Sequence, residues 1–344
     1  MRVLFDIVHP ADVLMFYHPI KRLLARGDEV LVLSREKDVA CRLLDELGIA
    51  HRTISSKGSG AFGLARELVQ RDLAMLREVR RFRPNVMLGL GGVSIAHAGW
   101  LLRRPSIAFY AADTAKLQTR LTWPFITHLY VPQVYRGSTP EGRTTRFPGI
   151  KELSYFHPDN FSVDEVRARK AGWKDGQECF LIRTVAWGAN HDIGKSGWSD
   201  ETLAALVEFL ARRGRVILST ERELSPELQP YLYRGEAKDL HHLMAKCALY
   251  VGESATMAHE AALLGTPAIY DGTDHPGTTR DLASSGLVTA LKQPGGSALI
   301  QQVERLLSPA AGQGFDDARN AYLAGKGNLA DYIMTAIDRH ATRR

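Results

Sequence analysis

The sequence predicts an α/β protein of two Rossmann-like domains in tandem, and three observations carry that expectation. Short apolar, β-branched runs alternate with amphipathic helix patterns from Arg2 to Pro132, and the alternation restarts near Glu178. A pattern of that kind builds an open, mostly parallel sheet covered by helices on both faces. Between the two series, "FPGIKELSYFHPDNFSVDEVRARKAGWKDG" carries turn signals and one short helix, as a linker does. The length of 344 residues exceeds one ordinary core and suits two domains of about 150 residues each. The expected division is 1–147, a linker at 148–176, a second domain over 177–326 and a C-terminal helix within 327–344.

Each element has a local reason. "RVLFDIV" reads as a buried central strand, and "VLMFYHPIKRLLARG" as a helix closed by Gly27. "EVLVLSR" is the second strand, followed by the helix "DVACRLLDELGI" and the long amphipathic helix "AFGLARELVQRDLAMLREVRRFRP", stopped before Pro84. "NVMLGLGG", "SIAFYAAD" and "HLYVP" complete the first set of strands. In the second half the strands are "ECFLIRTVAW", "RVILST", "ALYVGE" and "PAIYDG". Between them lie helices over "DETLAALVEFLARRG", with Ser199 as N-cap, "DLHHLMAKC" and "ATMAHEAALLG". The chain closes with the helix "NLADYIMTAIDRH".

Composition narrows the function classes. A hydrophobic share of 45% and a charged share of 24% are ordinary globular values. The most apolar region, Val93 to Ala112, is interrupted by Arg103-Arg104-Pro105, so no membrane-spanning helix is expected. "MRVLFDIVHP" lacks the cleavage region of a signal peptide, and Cys41, Cys179 and Cys247 show neither metal spacing nor a disulfide framework. A cytoplasmic protein is expected. The net charge of +6 favours anionic partners without choosing among nucleotides, phosphorylated lipids, nucleic acid and a membrane face.

Ligands of such sheets sit at the carboxyl ends of the strands, which directs attention to "GESATMAHEAALLGTPAIYDG", residues 252–272. After the strand come Glu253 and Ser254, then a helix whose free amides favour a phosphate. Ser254 and Thr256 add hydroxyls, and Ala255 lets the backbone come close. Glu260 lies about 9 Å further along the axis at about 1.5 Å per residue, roughly the reach from a pyrophosphate to the ribose of the same nucleotide. Met257, Ala261 and Leu264 are expected to form the buried stripe, leaving Thr256 and Glu260 on a shared face. A Ser-capped helix with an exposed glutamate fits the same spacing.

"LHHLMAKCALYVGESATMAHEAALLGTPAIYDG" resembles the donor-site segment of GT-B glycosyltransferases. Lipid-linked N-acetylglucosaminyltransferases and non-hydrolysing UDP-N-acetylglucosamine 2-epimerases carry comparable segments. "DIVHPADVLMFYHPI", "ADTAKLQTRLTWPF", "FPGIKELSYFHPD" and "GESATMAHEAALLGTP" resemble, more nearly, a family of unassigned function placed among GT-B proteins, through Met1 to Leu264. The resemblance implies a GT-B fold, with two Rossmann-like domains whose parallel sheets face each other across a cleft. It also implies that Glu260 binds the donor ribose and that the turn Ser254–Met257 meets the diphosphate.

"ANHDIGKS", residues 189–196, approaches a P-loop but has Ala for the first Gly, and its Lys-Ser does not run directly into a helix. As a loop after the second domain's first strand, it and that strand offer Arg183, His191 and Lys195 to diphosphate oxygens. Solvated surface charges are the alternative. The first domain's strand ends present "DIVHPAD", "LGLGGVS" and "YAADT". An inverting sugar transfer needs a base for the acceptor hydroxyl, and His9, Asp12 and Asp113 are the candidates. His9 and Asp12 equally suit helix capping, and Asp6, inside its strand, suits a structural role.

Asp274, with Asp271 and His275, follows a strand and either touches the donor sugar or forms a turn. His241-His242 lacks a metal partner at a useful offset, as does "HEAAL". The arginines between Arg66 and Arg83 are a solvated helix face or a contact for anionic lipid.

The expected function is metal-independent transfer of a sugar from a nucleotide-diphosphate sugar to a carbohydrate or lipid-linked acceptor. The resemblance points to a UDP-sugar and to a surface polysaccharide or glycolipid. No cofactor beyond the donor substrate and no nucleic-acid partner are expected, and a peripheral station at the inner membrane face is the further option. The rivals are a UDP-sugar 2-epimerase-like enzyme, a non-catalytic sugar-nucleotide-binding module, and an ATP-using transferase working through "ANHDIGKS".

Overall fold

A computed structural model describes residues 1–342 apart from 37, 57, 59, 111, 186–196, 293–294 and 309–313. The chain forms two compact units, Met1–Asn160 with Gly327–Arg344, and Phe161–Lys326.

In the first unit the elements follow one another as β1 (Arg2–Ile7), α1 (Pro10–Ala25), β2 (Glu29–Glu36), α2 (Asp38–Glu46), β3 (Arg52–Ser56) and α3 (Gly60–Phe82). Next come β4 (Val86–Leu90), α4 (Val93–Leu102), β5 (Ser106–Phe109), α5 (Lys116–Thr122), β6 (His128–Pro132) and β7 (Thr144–Phe147). All pairings are parallel, and the sheet order is β3-β2-β1-β4-β5-β6-β7. The order reverses direction between β1 and β4, the switch point at which such sheets take their ligands. Leu4, Met87, Ala108 and Leu129 on one face of the sheet pack with Met75 and Val79 of α3 and Ile95 of α4.

Helix α1 starts at Pro10, three residues before the apolar pattern that predicts it, because His9 is its N-cap and proline suits the first helical position. Pro19 inside the helix cannot donate to the Met15 carbonyl four residues back. The buried Ser154 hydroxyl donates to that carbonyl instead. Ser154 closes a 3-10 helix over Lys151–Ser154, so the first part of the turn-rich segment is bound to α1.

The second unit contains α6 (Glu165–Lys170), β8 (Cys179–Thr184), α7 (Asp200–Ala211), β9 (Arg215–Thr220), α8 (Leu240–Met244), β10 (Leu249–Gly252) and α9 (Ala255–Leu264). It continues through β11 (Ala268–Asp271), α10 (Gly277–Ser284), β12 (Val288–Leu291), α11 (Gly296–Leu306) and α12 (Phe315–Ala324). Its parallel sheet has the order β12-β11-β10-β8-β9, with the switch point between β8 and β10. Phe180, Ile182, Leu218 and Val251 pack there against Leu203 and Val207 of α7 and Leu299 and Val303 of α11.

The last helix, α13 (Leu329–His340), belongs to the first unit. Asn328 caps it by accepting from the Ala330 amide at 3.0 Å and from Asn160 Nδ2 at 2.9 Å. Arg26, the C-cap of α1, reaches Asp338 at 3.0 Å, and the Tyr130 hydroxyl meets His340 Nε2 at 3.1 Å. Among the described residues no helix is long and apolar enough to cross a membrane.

Candidate functional site

The second unit's switch point is built around Gly252, the last residue of β10. A Cβ there would stand 2.8 Å from the Arg183 carbonyl and 2.5 Å from the Tyr250 hydroxyl, so only glycine lets β10 run this close to β8. The Glu253 amide then donates to the Arg183 carbonyl at 2.9 Å, carrying the pairing one residue past the strand.

Glu253 is buried, and both of its oxygens accept from backbone amides. Oε1 accepts from the Trp198 amide at 2.7 Å, and Oε2 accepts from the Val185 amide at 3.2 Å. The Trp198 indole donates to Asp271 Oδ2 at 2.8 Å, and its carbonyl accepts from Arg222 at 2.9 Å. Carboxylates at the ends of β10 and β11 are thus tied into one scaffold through Trp198. Glu253, a candidate for substrate binding from its place after the strand, also shapes the turn beside the helix start. Arg183 donates to Ser219 Oγ on the neighbouring strand β9 at 2.7 Å and pairs with Glu221 just beyond that strand.

Ser254 is the N-cap of α9, and its hydroxyl oxygen accepts from the Met257 amide at 3.4 Å. Accepting leaves the hydroxyl's own hydrogen for donation. Thr256 and Met257 are half-buried in the first helical turn. One and a half turns in, Glu260 is buried, and its Oε2 lies 3.0 Å from Nε2 of His241 on α8. The spacing allows an exposed glutamate and expects Met257 and Leu264 in the buried stripe, but those two are only half-buried, and of that stripe Ala261 alone is buried. The structure buries Glu260 because α8 packs across this part of α9, and burial of a carboxylate requires such a partner. His241, whose sequence context offers no metal partner, is the residue that sequence reading passes over. No local signal marks the pair, which is separated by 19 residues. His242 instead accepts from the Asp164 amide at 2.9 Å, and burial lowers its pKa to about 4. Asp274 follows β11, where its carbonyl accepts from the Tyr270 hydroxyl at 2.8 Å, while His275 Nε2 lies 2.9 Å from the Gly272 and Leu291 carbonyls. His191, Lys195 and the whole of "ANHDIGKS" lie outside the described residues.

In the first unit, β1 ends at the switch point with a reciprocal capping box. His9 Nδ1 accepts from the Ala11 amide at 3.2 Å, while Asp12 Oδ2 accepts from Val8 and His9 amides at 2.8 and 3.0 Å. The His9 ring is exposed, but Asp12 is wholly buried. Burial raises the Asp12 pKa to about 7, against the pull of its two backbone hydrogen bonds. Beside β1, Gly92 caps α4 at φ 58°, a left-handed conformation that favours glycine, and a Cβ there would press on the Ile95 side chain at 3.0 Å. Asp6 pairs with Arg71 of α3, both buried, in the structural role that its place inside the strand implies. Asp113 is half-buried after β5, two strands along from β1. Among the described residues no group of three or more His, Cys, Asp or Glu is arranged to hold a metal.

The model of the family described as "Protein of unknown function (DUF354)" matches residues 1–278. The chain belongs to that family. It is also 24% identical, over 83% of each chain, to the UDP-N-acetylglucosamine–N-acetylmuramyl-(pentapeptide) pyrophosphoryl-undecaprenol N-acetylglucosamine transferase of Nitrosococcus oceani. Among solved structures it is similar to the UDP-GlcNAc 2-epimerase of Neisseria meningitidis bound to UDP-GlcNAc, at a TM-score of 0.69 and 14% identity, covering 98% of this chain and 100% of that one. A Streptomyces sp. SF2575 glycosyltransferase complexed with thymidine diphosphate matches with a TM-score of 0.65 and 15% identity, covering 98% and 99%. The family member described here therefore has the GT-B fold, which transferases and epimerases share.

Proposed function

We propose that this protein is a glycosyltransferase that takes a nucleotide-diphosphate sugar, most naturally a UDP-sugar, and passes the sugar to a polysaccharide or glycolipid acceptor without a metal. The observation that carries the reading is Glu260: a buried carboxylate held one and a half turns inside a helix that starts, Ser-capped, at the sheet's switch point. The amides and dipole of the helix start suit a diphosphate and offset the charge that develops on it as it leaves. Glu260 would accept from the ribose hydroxyls, and the Ser254 and Thr256 hydroxyls would add donors to the diphosphate. The similarity to a curated transferase along most of the chain supports the same reaction class.

His9 is our choice for the base. It is exposed at the end of β1, whereas Asp12 is buried beneath it as a cap. With Nδ1 accepting from Ala11, the neutral ring carries its proton on Nε2, so acceptor binding must displace that cap bond before the imidazole can take a proton.

A lipid-linked acceptor is supported by one face of the first unit. His97 of α4 bridges Asp72 of α3 at 2.6 Å and the Leu121 carbonyl of α5 at 3.0 Å, joining the three helices. One turn beyond His97, Trp100 is 61% exposed beside the exposed Leu101, with Leu73 and Leu117 exposed on the flanking helices. Arg103 and Arg120 are exposed near them, so apolar anchors are mixed with the charge that an anionic membrane attracts.

The test is a thermal-shift panel of UDP, GDP, ADP and CMP with their sugar conjugates, followed by detection of nucleotide diphosphate released on adding acceptor lipids. Stabilisation by UDP that Glu260→Ala abolishes supports the reading. Conversion of a UDP-sugar to its epimer with no acceptor present, seen by NMR, would replace it with an isomerase.

A further inference from the structure

Resting on that nucleotide-site reading, the geometry points to His241 as the positioning residue for Glu260, and through it as the residue that lets the site prefer ribonucleotides over 2′-deoxyribonucleotides. A glutamate side chain has three rotatable bonds, and fixing them costs conformational entropy. To accept from two neighbouring ribose hydroxyls, the carboxylate plane must be held within a few tenths of an ångström. The bond between His241 Nε2 and Glu260 Oε2, at 3.0 Å, pins one oxygen and leaves the other lone-pair directions for a ligand.

The surroundings leave His241 as the group suited to this task. The adjacent His259 is directed to α10, where it engages Thr279 Oγ1 at 2.9 Å. The buried Tyr250 hydroxyl beneath the helix start donates to the Ser254 carbonyl at 3.2 Å. His242, the neighbour of His241, is turned to Asp164 and stacks on Phe161 at 4.9 Å. His241 is itself buried, so its ring cannot swing into solvent. Without it Glu260 would be a buried carboxylate missing this donor, free to rotate away from the ligand side.

The experiment measures the affinities of UDP and 2′-deoxy-UDP by calorimetry for the full chain and four variants: Glu260→Gln, His241→Ala, His241→Gln and the double variant of His241→Ala with Glu260→Gln. Because each preference is a ratio taken on one preparation, partial loss of folded protein cancels. A hydrogen bond from a hydroxyl to a carboxylate implies a wild-type preference for UDP of about 10- to 100-fold.

The expected result is that His241→Ala lowers this preference to within about threefold of unity while 2′-deoxy-UDP binds almost as before. His241→Gln, whose amide can donate, should restore most of it. In the double variant the two losses should not add, as expected of residues acting as one unit. A wild-type preference that persists in His241→Ala, or a loss of affinity equal for both nucleotides, would overturn the positioning role while leaving the nucleotide site standing. Failure of the wild-type chain to bind either nucleotide would overturn the site reading and this inference together.

Discussion

Replacing Asp12 by Asn separates a capping role from a catalytic one, because burial gives this carboxyl a pH signature. In the folded chain its pKa is raised to about 7 by desolvation, while in the unfolded chain it returns to about 3.8. The native state therefore holds a proton that the unfolded state releases between those values. Stability from this group is complete below about pH 4 and falls as pH rises, by about 1.4 kcal/mol per unit, until about pH 7. Between about pH 5 and pH 8 the loss comes to about 2.5 kcal/mol. Asn keeps an oxygen for the Val8 and His9 amides but carries no titrating proton. It places an amide where Asp12 Oδ1 is buried without a hydrogen-bond partner, at a cost of about 1–3 kcal/mol that does not vary with pH. The melting temperature of Asp12→Asn relative to wild type should accordingly rise by about 5–10 °C between about pH 5 and pH 8, at about 2–4 °C per kcal/mol for a unit of this size. Scanning fluorimetry of both proteins across that range provides the comparison. A gap that stays constant with pH would refute the burial argument. Sugar transfer should persist in the variant within about threefold, whereas removal of a general base costs about 100- to 10,000-fold.

Three further outcomes follow from individual contacts. Glu253→Gln should destabilise the second unit by about 1.5–3 kcal/mol, since one oxygen cannot accept from both Val185 and Trp198 amides; lost UDP binding at unchanged stability would show that Glu253 touches the ligand. Arg71→Ala leaves Asp6 buried without its cation, which by urea denaturation should cost about 3–5 kcal/mol, with a loss below about 1 kcal/mol contradicting the pairing. Replacing Trp100 and Leu101 by Ser should reduce sedimentation with phosphatidylglycerol vesicles about tenfold or more while leaving UDP binding intact, and unchanged sedimentation would remove that face from consideration.

The alternation of apolar strands and amphipathic helices made the α/β class readable, as did Ser199 and Ser254 at their helix starts. Elements without a strong apolar period escape that reading. β3, "RTISS", and β7, "TTRF", are mostly polar edge strands, and the short β12 is another edge. Their side chains bury on one face at most, so little hydrophobic pattern is required of them. Helix α4 is hidden for the opposite reason, being apolar on nearly every side around Gly92 and its buried Ser94, Ile95 and Ala98. The candidate site was legible as far as one helix reaches: Ser254, Thr256 and Glu260 are ordered by the 1.5 Å rise alone.

By itself the sequence determined the local grammar: where strands and helices alternate, where a helix is capped, and that a carboxylate sits on the helix after β10. Only the tertiary structure decided that β10 lies beside β8, that His241 meets Glu260, that Asp12 is sealed beneath His9, and that α13 belongs with residues more than 300 positions earlier. The physical reason is one of range. Periodicity and capping are set by neighbours within a turn or two, whereas the environment of a charge is set by whichever strand and helix the sheet order brings against it.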